Sequence, residues 1–403
     1  MTALADALHF RDDPEPAPRP ATPRPLAPRL PADASMMAVL ARMSEETGVP
    51  PMRLARDFAG LSFGPGRVSF NDYVRLRLHD EAFWAGDRRQ VVGQRRSREL
   101  AHQINHRHDC HALASNKVAA NAYLAAFGFP VIPSLAIYAH DLAAPSQALL
   151  RCREELRAFL LEAPYPLFGK PVEPGLGAGA TGLAGYNSKT GALRTLEGRK
   201  LDLNAFVDTV RENHWTGYLF QRLVQPHDAV TALCGERLAT VRLLTFSGDA
   251  GPRVARACWT IPAGANASDS PSRRGNLAAQ LDARTGAILR VTRGVGLELQ
   301  ELARHPDTGA EMIGAKVPGW ETLKATAVEA ARLMHTMPMI GWDMAPSAHG
   351  PMIVQMSAIP DLGLFQLTDR RGLLDQEVND LLAAQRHAAA ERAELIRAEA
   401  AHL

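Results

Sequence analysis

The segment that most constrains the fold of this 403-residue chain is FGKPVEPGLGAGATGL, residues 168–183. In it a lysine precedes four glycines within eight positions. Glycine has no Cβ, so successive backbone N–H groups of such a loop can come close to a phosphate. Lys170, on a predicted strand that enters the loop, would add a positive charge at the same place. The segment therefore favours a loop that joins two strands and lies over a triphosphate.

The same letters are compatible with other loops. Residues 177–182 spell G-x-G-x-x-G, but a dinucleotide-binding turn requires a helix to begin there. The residues that follow, LAGYNSKTG, are strand-like and rich in turn formers, without a helical period. A Walker A loop would end in Gly-Lys-Ser/Thr, which is absent here. A flexible surface hairpin is the remaining alternative at this stage.

Composition excludes several classes of protein. The chain is 46% hydrophobic, enough for two or three cores, and its formal net charge of +2 gives no strong pull towards nucleic acid. The most apolar stretch, 118–139, is interrupted by Asn121, Pro130 and Pro133, which favours a buried helix and strand over a membrane span. The N-terminus lacks the apolar core of a signal peptide, and the four cysteines form no CxxC pair. We therefore expect a cytoplasmic protein.

Turn residues and hydrophobic periods divide the chain into four parts. These are a disordered Pro-rich tail (1–35), a helical N-terminal region (36–112), a domain of strands and helices (113–372) and a C-terminal helix (373–403). Within the domain, Ser115 is the predicted cap of a helix that runs to about residue 127, and 145–162 is predicted as a charged helix. Runs about Asn-Ser-Lys-Thr-Gly at 187–191 predict a hairpin. A helix followed by a strand within the domain indicates an α/β arrangement.

The order of several motifs resembles a known family. Lys170 and the glycine loop are followed by LFQRLV (219–224), TVRLLTF (240–246), GNLAAQLDARTGAIL (275–289), HPDTGAEMIGAKVPGW (305–320) and IGWDMAPSAHGPMIVQ (340–355). This order is similar to the ATP-grasp fold and, more closely, to the sugar-transfer associated ATP-grasp proteins, over roughly residues 100–370. The resemblance implies two α+β subdomains that clasp a nucleotide, behind a helical N-terminal region.

The resemblance also implies roles for particular residues. It implies that ATP is held by two phosphate lysines, Lys117 and Lys170, with Lys170 also catalytic, and that Arg242 binds a γ-phosphate or an acyl-phosphate. The remaining ATP contacts would come from the flap residues Gly175, Gly177, Gly179, Ala180 and Thr181, from Gln221 facing the adenine amino group, and from the backbone of Leu223. Each of these residues also has a purely structural interpretation. Lys117 could be an exposed lysine at a helix start, Gln221 an ordinary strand residue, and Arg242 the partner of a carboxylate in the core. Asn276 is a further candidate on the acceptor side.

The implied magnesium site departs from the family pattern. Asp343 occupies the first strand, but Gln355 and Ser357 stand where the second strand usually has Glu-x-Asn. A glutamine amide brings only a dipole, whereas a unit charge pair at ~4 Å and an effective dielectric of about 20 is worth on the order of 4 kcal/mol. One metal could persist on Asp343 and the triphosphate, Asp361 or Asp282 could supply the missing charge, or nucleotide could bind without turnover.

Three functions follow as hypotheses. The first is an ATP-dependent ligase that joins a carboxylate to an amine or related nucleophile through an acyl-phosphate, with Mg²⁺, in surface polysaccharide or envelope glycan biosynthesis. Its partners would be ATP, the two unidentified substrates and other envelope-biosynthesis proteins. The second is a degenerate ATP-grasp protein that acts as a regulator or scaffold. The third is an interaction module whose Arg-rich segment 88–98 docks an acidic partner, although a solvated face is favoured there. The His-rich segment 102–111 could hold zinc, but no second cluster completes a site.

Overall fold

The computed structural model describes residues 35–107, 109–140, 148–173, 179–214, 216–270 and 273–401. The predicted tail lies outside these ranges except for Ser35, and so do the predicted flap residues Gly175 and Gly177. No helix in the described ranges is both long and apolar enough to cross a membrane.

The N-terminal region consists of short helices, as its polar–apolar period predicts. They are α1 (Met36–Thr47), α2 (Pro51–Phe63), α3 (Phe70–Arg75), α4 (Gln94–Ile104) and α5 (Asp109–Ser115), with single 3-10 turns at Glu81–Phe83 and Arg88–Gln90. The helical pattern that starts at Met36 is divided, because Gly48 ends α1 in the left-handed conformation and Pro51 starts α2. Buried side chains such as Leu40, Met43 and Tyr73 join these helices in one core.

The first sheet has seven strands in the order β2-β1-β7-β3-β4-β5-β6. Its strands are β1 (Ser134–Tyr138), β2 (Ala148–Leu150), β3 (Leu167–Pro171), β4 (Thr181–Asn187), β5 (Ala192–Thr195), β6 (Lys200–Asp202) and β7 (Tyr218–Arg222). Its helices are α6 (Lys117–Ala126), α7 (Arg153–Glu162) and α8 (Leu203–Asn213). Leu160 of α7 and Val207 of α8 are fully buried against strand residues such as Leu167 and Phe220. The other face of the sheet carries a smaller core that includes Val118, Ile137 and Leu219. It also carries side chains that line the cleft, such as Lys170 and Gln221.

The second sheet also has seven strands, in the order β12-β11-β10-β9-β8-β13-β14, and all its pairs are antiparallel. Its strands are β8 (Thr240–Gly248), β9 (Gly251–Ile261), β10 (Leu277–Leu281), β11 (Ile288–Arg293), β12 (Gln300–Glu301), β13 (Met339–Ser347) and β14 (Gly350–Ser357). Helices α9 (Asp228–Cys234), α10 (Trp320–Leu333), α11 (Leu362–Asp369) and α12 (Gln376–Ala401) accompany it. Trp259 and Trp342 pack on the α10 side.

The opposite face of the second sheet is divided between a core and a cleft. Leu244 and Phe246 at one end pack with Ile104 of α4, Phe365 of α11 and Leu382 of α12. The core therefore continues across the predicted boundaries at 112 and 372, and the four-part division of the chain stays a prediction. The other end of this face carries polar side chains and faces the first sheet.

Two sequence predictions about local structure were wrong. Asn116, and not Ser115, caps α6, because its side-chain oxygen accepts from the N–H groups of Val118 and Ala119 at 3.0 Å each. The predicted charged helix over 145–162 begins only at Arg153, since β2 pairs in parallel with β1 and buries Leu150 there. Pairing with a neighbouring strand overrides local helix propensity at this position.

Candidate functional site

A cleft of about 1470 Å³ lies between the two sheets. Nine of the residues that the sequence singles out line it together: Lys117, Lys170, Ala180, Gln221, Leu223, Arg242, Asp343, Gln355 and Ser357. They come from α6, from β3, β7 and the residues just before β4 and just after β7 in the first sheet, and from β8, β13 and β14 of the second.

Lys170 reaches from the first sheet to the second. It lies on β3 beside Gly169, where a Cβ would collide with the ring of Tyr218 on β7. Its ammonium donates to the carbonyl of Val354 at 3.3 Å. That carbonyl is available because the β13–β14 register shifts after Asp343, which leaves Val354 unpaired in a β-bulge. The bulge thus positions the lysine between the two sheets.

Lys117 approaches the same cleft from the start of α6. Its ammonium donates to the carbonyls of Glu173 at 2.6 Å and Val172 at 3.3 Å, just after β3 ends. Its backbone N–H donates to Val172 as well, at 3.2 Å. The helix start and the strand end therefore fix the lysine together, so it is not an ordinary exposed helix-start residue.

The two lysines are buried cations that face each other's field. The pKa of Lys170 is lowered to about 7, mainly by burial and also by the charge of Lys117, while Asp343 opposes the shift. Burial lowers the pKa of Lys117 to about 8, against the opposing charges of Glu173 and Asp343. Within the described part of the chain neither ammonium forms an ion pair with a carboxylate at contact distance. Such a pair is suited to a bound polyanion, which would restore both positive charges.

The end of the glycine loop is held by contacts from both sheets. Gly179 has φ +78, its carbonyl accepts from the Tyr218 hydroxyl at 2.7 Å, and a Cβ there would collide with His214. The carbonyl of Ala180 accepts from Arg273 of the β9–β10 loop at 3.3 Å. Thr181 begins strand β4 and no helix starts at Gly182, so the dinucleotide-binding alternative is excluded.

Gln221 and Leu223 lie at the end of β7. Gln221 is 2% exposed and its side-chain nitrogen donates to the carbonyl of Ile132 at 3.0 Å. This contact leaves the side-chain oxygen as the group that can accept from a ligand. Leu223 follows the last residue of the strand and lines the cleft beside it.

Three polar residues form a row across the second sheet. Arg242 on β8 pairs in register with Asp343 on β13, and Asp343 pairs with Gln355 on β14, so their side chains share one face. Arg242 Nε lies 3.7 Å from Asp343 Oδ1 and has no hydrogen-bond partner among the described residues. Burial raises the pKa of Asp343, and the positive charge of Arg242 opposes that rise. Ser357 lies two residues beyond Gln355 on the same face.

The β9–β10 loop adds an acidic residue that the sequence did not reveal. Asp269 lines the cleft and accepts from the Thr240 N–H at 2.7 Å and the Thr260 hydroxyl at 2.8 Å. The side-chain amide nitrogen of Asn276 binds within the same loop, where it donates to the carbonyls of Ser268 at 2.7 Å and Ser270 at 2.9 Å. Asn276 therefore shapes the loop and does not line the acceptor side. No periodicity or spacing in the loop marks Asp269, because only the fold brings it to the threonines.

The donor set suits magnesium only in company with phosphate. Asp343, Gln355 and Ser357 offer a carboxylate, an amide oxygen and a hydroxyl, all hard oxygen donors. Among the described side chains, no group of three or more His, Cys, Asp or Glu could hold a metal by itself. Asp361 lines the cleft, but Asp282 sits in a turn where it accepts from the N–H groups of Arg284 and Thr285. The prediction that Asp282 could supply charge was therefore wrong.

The Arg-rich and His-rich segments have other contacts. Arg88 is largely buried and binds Asp57 at 2.8 Å, so it is not a solvated residue. In the His-rich segment the ring of His111 contacts the carbonyl of Asn105 at 2.7 Å, while His108 lies outside the described residues. The zinc hypothesis for this segment also involves the side chains of Asp109 and Cys110, which lie outside the described part of the chain as well.

Comparison with known proteins defines the class. The two sheets with a cleft between them form the α+β fold of ATP-grasp proteins. Residues 95–380 match the model of the sugar-transfer associated ATP-grasp family, so the chain belongs to that family. A search among curated proteins finds no match.

Solved structures with this fold include several ligases. The D-alanine-D-alanine ligase from Coxiella burnetii is 13% identical, with a TM-score of 0.41 over 72% of this chain and 62% of that one. The ATP-grasp ligase PsnB with its minimal precursor is 18% identical, with a TM-score of 0.34 over 69% of this chain and 62% of that one. The chain thus spans less than two thirds of either structure. Matches at this level concern the fold alone.

Proposed function

We propose that the cleft binds ATP with Mg²⁺ and that the protein uses ATP to activate a carboxylate for ligation. The observation that carries this proposal is the meeting of two buried lysines, Lys117 and Lys170, with the Asp343–Gln355 pair in one cleft. Two cations without carboxylate contacts in the described part of the chain lie on one wall of the cleft, and oxygen donors lie on the opposite wall. The cations match the negative charge of a triphosphate, and the oxygen donors match the ligands that its metal ion requires.

The first sheet would bind the nucleotide. Lys117 and Lys170 hold the phosphates, and backbone N–H groups around Ala180 lie over them. The side-chain oxygen of Gln221 accepts from the adenine amino group, because the side-chain nitrogen is already bound to Ile132. The backbone after Leu223 reads the remaining adenine edge.

The second sheet would hold the metal and the reacting acid. Asp343, with Gln355 and Ser357 as neutral donors, would hold Mg²⁺, and the bound ion would supply positive charge next to the phosphates. The substrate carboxylate oxygen attacks the γ-phosphorus and ADP leaves, which produces an acyl-phosphate. Arg242 holds that acyl-phosphate beside Asp343. An amine or related nucleophile then attacks the carbonyl carbon, loses a proton, and inorganic phosphate leaves. Positioned positive charge is the main source of catalysis in such a phosphoryl transfer.

The family description supports a role with sugars. A sugar-transfer associated protein that consumes ATP fits cytoplasmic steps of surface polysaccharide or envelope glycan biosynthesis. The carboxylate and the nucleophile would then belong to that chemistry, and other biosynthetic proteins would be its partners.

A thermal-shift panel tests the nucleotide site. ATP and ADP are each added with and without Mg²⁺, to the full chain and to Lys170→Ala. We expect stabilisation by both nucleotides, larger with Mg²⁺, and a strong loss of the shift in the variant. An unchanged shift in Lys170→Ala would remove the proposal, and no shift for the unmodified chain would favour an interaction module.

A regulator that binds nucleotide without turnover is the second candidate. It is favoured by one observation: Gln355 and Ser357 leave Asp343 as the only carboxylate in this donor set. It predicts nucleotide stabilisation with little dependence on Mg²⁺ and no ADP release. If Gln355→Glu gains ATP turnover, the natural site lacks activity because glutamine has replaced a metal-binding carboxylate. If the variant instead loses existing turnover, the glutamine serves the protein's own chemistry.

A further inference from the structure

The cleft continues past Asp343 to an end that the N-terminal helices build. This end is lined by Arg75 of α3, by Gln94, Ser97 and Arg98 of α4, and by Gly363 of α11. Arg75 precedes the segment that the family model matches, which begins at residue 95. The helical N-terminal region therefore contributes directly to the cavity that holds the proposed nucleotide site.

Arg75 is held by a defined set of contacts. Asp72 closes a capping box with Ser69 and also accepts from the Gln94 N–H at 3.2 Å, so α3 is fastened to the start of α4. The guanidinium of Arg75 lies against Gly363, where a Cβ would collide with Nη2. A glycine at the second position of α11 thus makes room for this arginine.

The charge of Arg75 is only loosely balanced. Its nearest carboxylate is Asp361, 3.8 Å from Nη2, and the Arg75 side chain remains 35% exposed. The same oxygen of Asp361 accepts from the Leu364 N–H at 3.3 Å to cap α11. Asp72, the other acid nearby, is committed to Ser69 and Gln94. A ligand oxyanion could therefore bind Arg75 more closely than Asp361 does.

Arg98 reaches the same end from α4. Gln94, Ser97 and Arg98 occupy positions i, i+3 and i+4, so they share the face of α4 that lines the cleft. Arg95 and Arg96 bind Glu99 instead, at 3.3 Å each. None of the ion pairs in the described ranges includes Arg98.

The cleft lining contributed by α3, α4, α11 and the residues beside them also includes apolar side chains. They are Leu76, Val92, Leu364 and Phe365, all of them buried. Arginines and apolar side chains in the lining of one cleft match an anionic group on an apolar body, since each guanidinium can bind an oxyanion in a forked geometry.

We infer that Arg75 and Arg98 form an oxyanion subsite, the arginine subsite, for an acidic substrate. The ligand carries a carboxylate or phosphate on an apolar portion, at a distance from the group that reacts near Arg242. As the identity of a substrate of the ligation, this inference rests on the proposed function. As a binding site, the arginine subsite stands on the residues just described.

The test uses benzoate and phenyl phosphate as probes, with benzamide as the uncharged control of the same shape. Binding to the full chain is measured by calorimetry with ADP at saturation, so that Lys117 and Lys170 are occupied. We expect both anions to bind and benzamide not to bind. Arg75→Gln and Arg98→Gln should each weaken the anions about tenfold. Arg95→Gln, on the same helix but bound to Glu99, should leave them unchanged.

The outcomes separate the two proposals. If the arginine substitutions weaken the binding of benzoate more than that of phenyl phosphate, the subsite is a carboxylate site. If they weaken phenyl phosphate more, it is a phosphate site. The arginine subsite is overturned if neither anion binds, or if Arg75→Gln and Arg98→Gln bind the anions as tightly as the unmodified chain does. The same variants should bind ADP normally. If ADP does not bind the unmodified chain, the proposed function fails, and the probe titration is repeated on Lys170→Ala to judge the subsite alone.

Discussion

The two walls of the cleft are built in different ways. On the first sheet, Lys117 and Lys170 are fixed by contacts with backbone carbonyls, and neither has a carboxylate at contact distance in the described ranges. On the second sheet, Arg242 lies beside Asp343, and Asp269 is bound by two threonines. One wall carries excess positive charge, while the other largely balances its own charges.

This difference separates binding from chemistry. Changes on the first wall should act mainly on nucleotide affinity, because the buried cations there need an anion. Changes on the second wall should act mainly on metal dependence, because its groups are positioned before any ligand arrives. The following predictions test this separation, beginning with the largest expected effect.

Proton uptake should make nucleotide binding depend strongly on pH. With pKa values of about 7 for Lys170 and about 8 for Lys117, both lysines lose protons above neutral pH in the free protein. Binding of ADP restores them, so affinity should fall about 500-fold between pH 7 and pH 9, roughly 50-fold from Lys170 and roughly tenfold from Lys117. Calorimetry across this range checks the slope. Lys170→Arg, whose guanidinium stays charged, should flatten it, and an equally steep slope in that variant would contradict the assignment.

The same shifts predict the pH dependence of stability without ligand. Both lysines have lower pKa values in the folded protein than the usual 10.5, so the unfolded chain binds more protons from about pH 7 to 10. The free energy of unfolding should therefore rise with pH across this window, other groups being equal. Urea denaturation of the full chain and of Lys170→Met checks it, and the variant should show a smaller rise.

Removing the Lys170 side chain from the first wall should strongly weaken the affinity for ADP. Lys170→Ala should cost about 30-fold in affinity or more, since it deletes a buried charge that, by the proposal, contacts the phosphates. Lys189→Ala, in the exposed β4–β5 turn, is the matched control and should bind ADP normally. Equal affinities in the two variants would place the nucleotide elsewhere.

Adding a charge to the second wall should change metal affinity more than nucleotide affinity. Gln355→Glu places a carboxylate opposite Asp343 in the β13–β14 pair and should tighten Mg²⁺ about tenfold in the ADP complex. Gln103→Glu on exposed α4 surface is the control of the same chemistry. A Mg²⁺ titration of ADP-induced stabilisation measures both, and a change confined to ADP affinity would contradict the division between the walls.

The smallest effect, on the rate of ADP release, is expected where a loop of the second sheet contacts the first sheet. Arg273 donates to Ala180 at the loop end and lies 3.3 Å from Glu197, so it joins the β9–β10 loop to the first sheet. Arg273→Ala should speed ADP release a few-fold, because the loop end loses one anchor. Arg284→Ala, in an exposed turn, should not, and stopped-flow release of a fluorescent ADP analogue compares them.

The first wall was predictable because its signals are local. Lys170 stands beside the glycines, Lys117 at a helix start, and Gln221 in an apolar strand. Their placement in one cleft was also expected, because the motif order resembles a family with that arrangement. Their roles remain predictions until ligand binding is measured.

The second wall was only partly predictable because it depends on register. Asp343 and Gln355 were identified from their motifs, but the bulge at Val354 that receives Lys170 has no sequence signal. Asp269 and Asp282 are both acids in loops that flank β10, yet one lines the cleft and the other closes a turn. The arginine subsite joins α3, α4 and α11, which lie far apart in sequence and meet only through tertiary packing.

A crystal structure with Mg²⁺ and a non-hydrolysable ATP analogue tests the central claim most directly. We predict phosphate oxygens in contact with the ammonium groups of both Lys117 and Lys170, and a metal ion bound to Asp343 on the opposite wall. A nucleotide bound outside this cleft, or inside it with neither lysine touching a phosphate, would contradict the account.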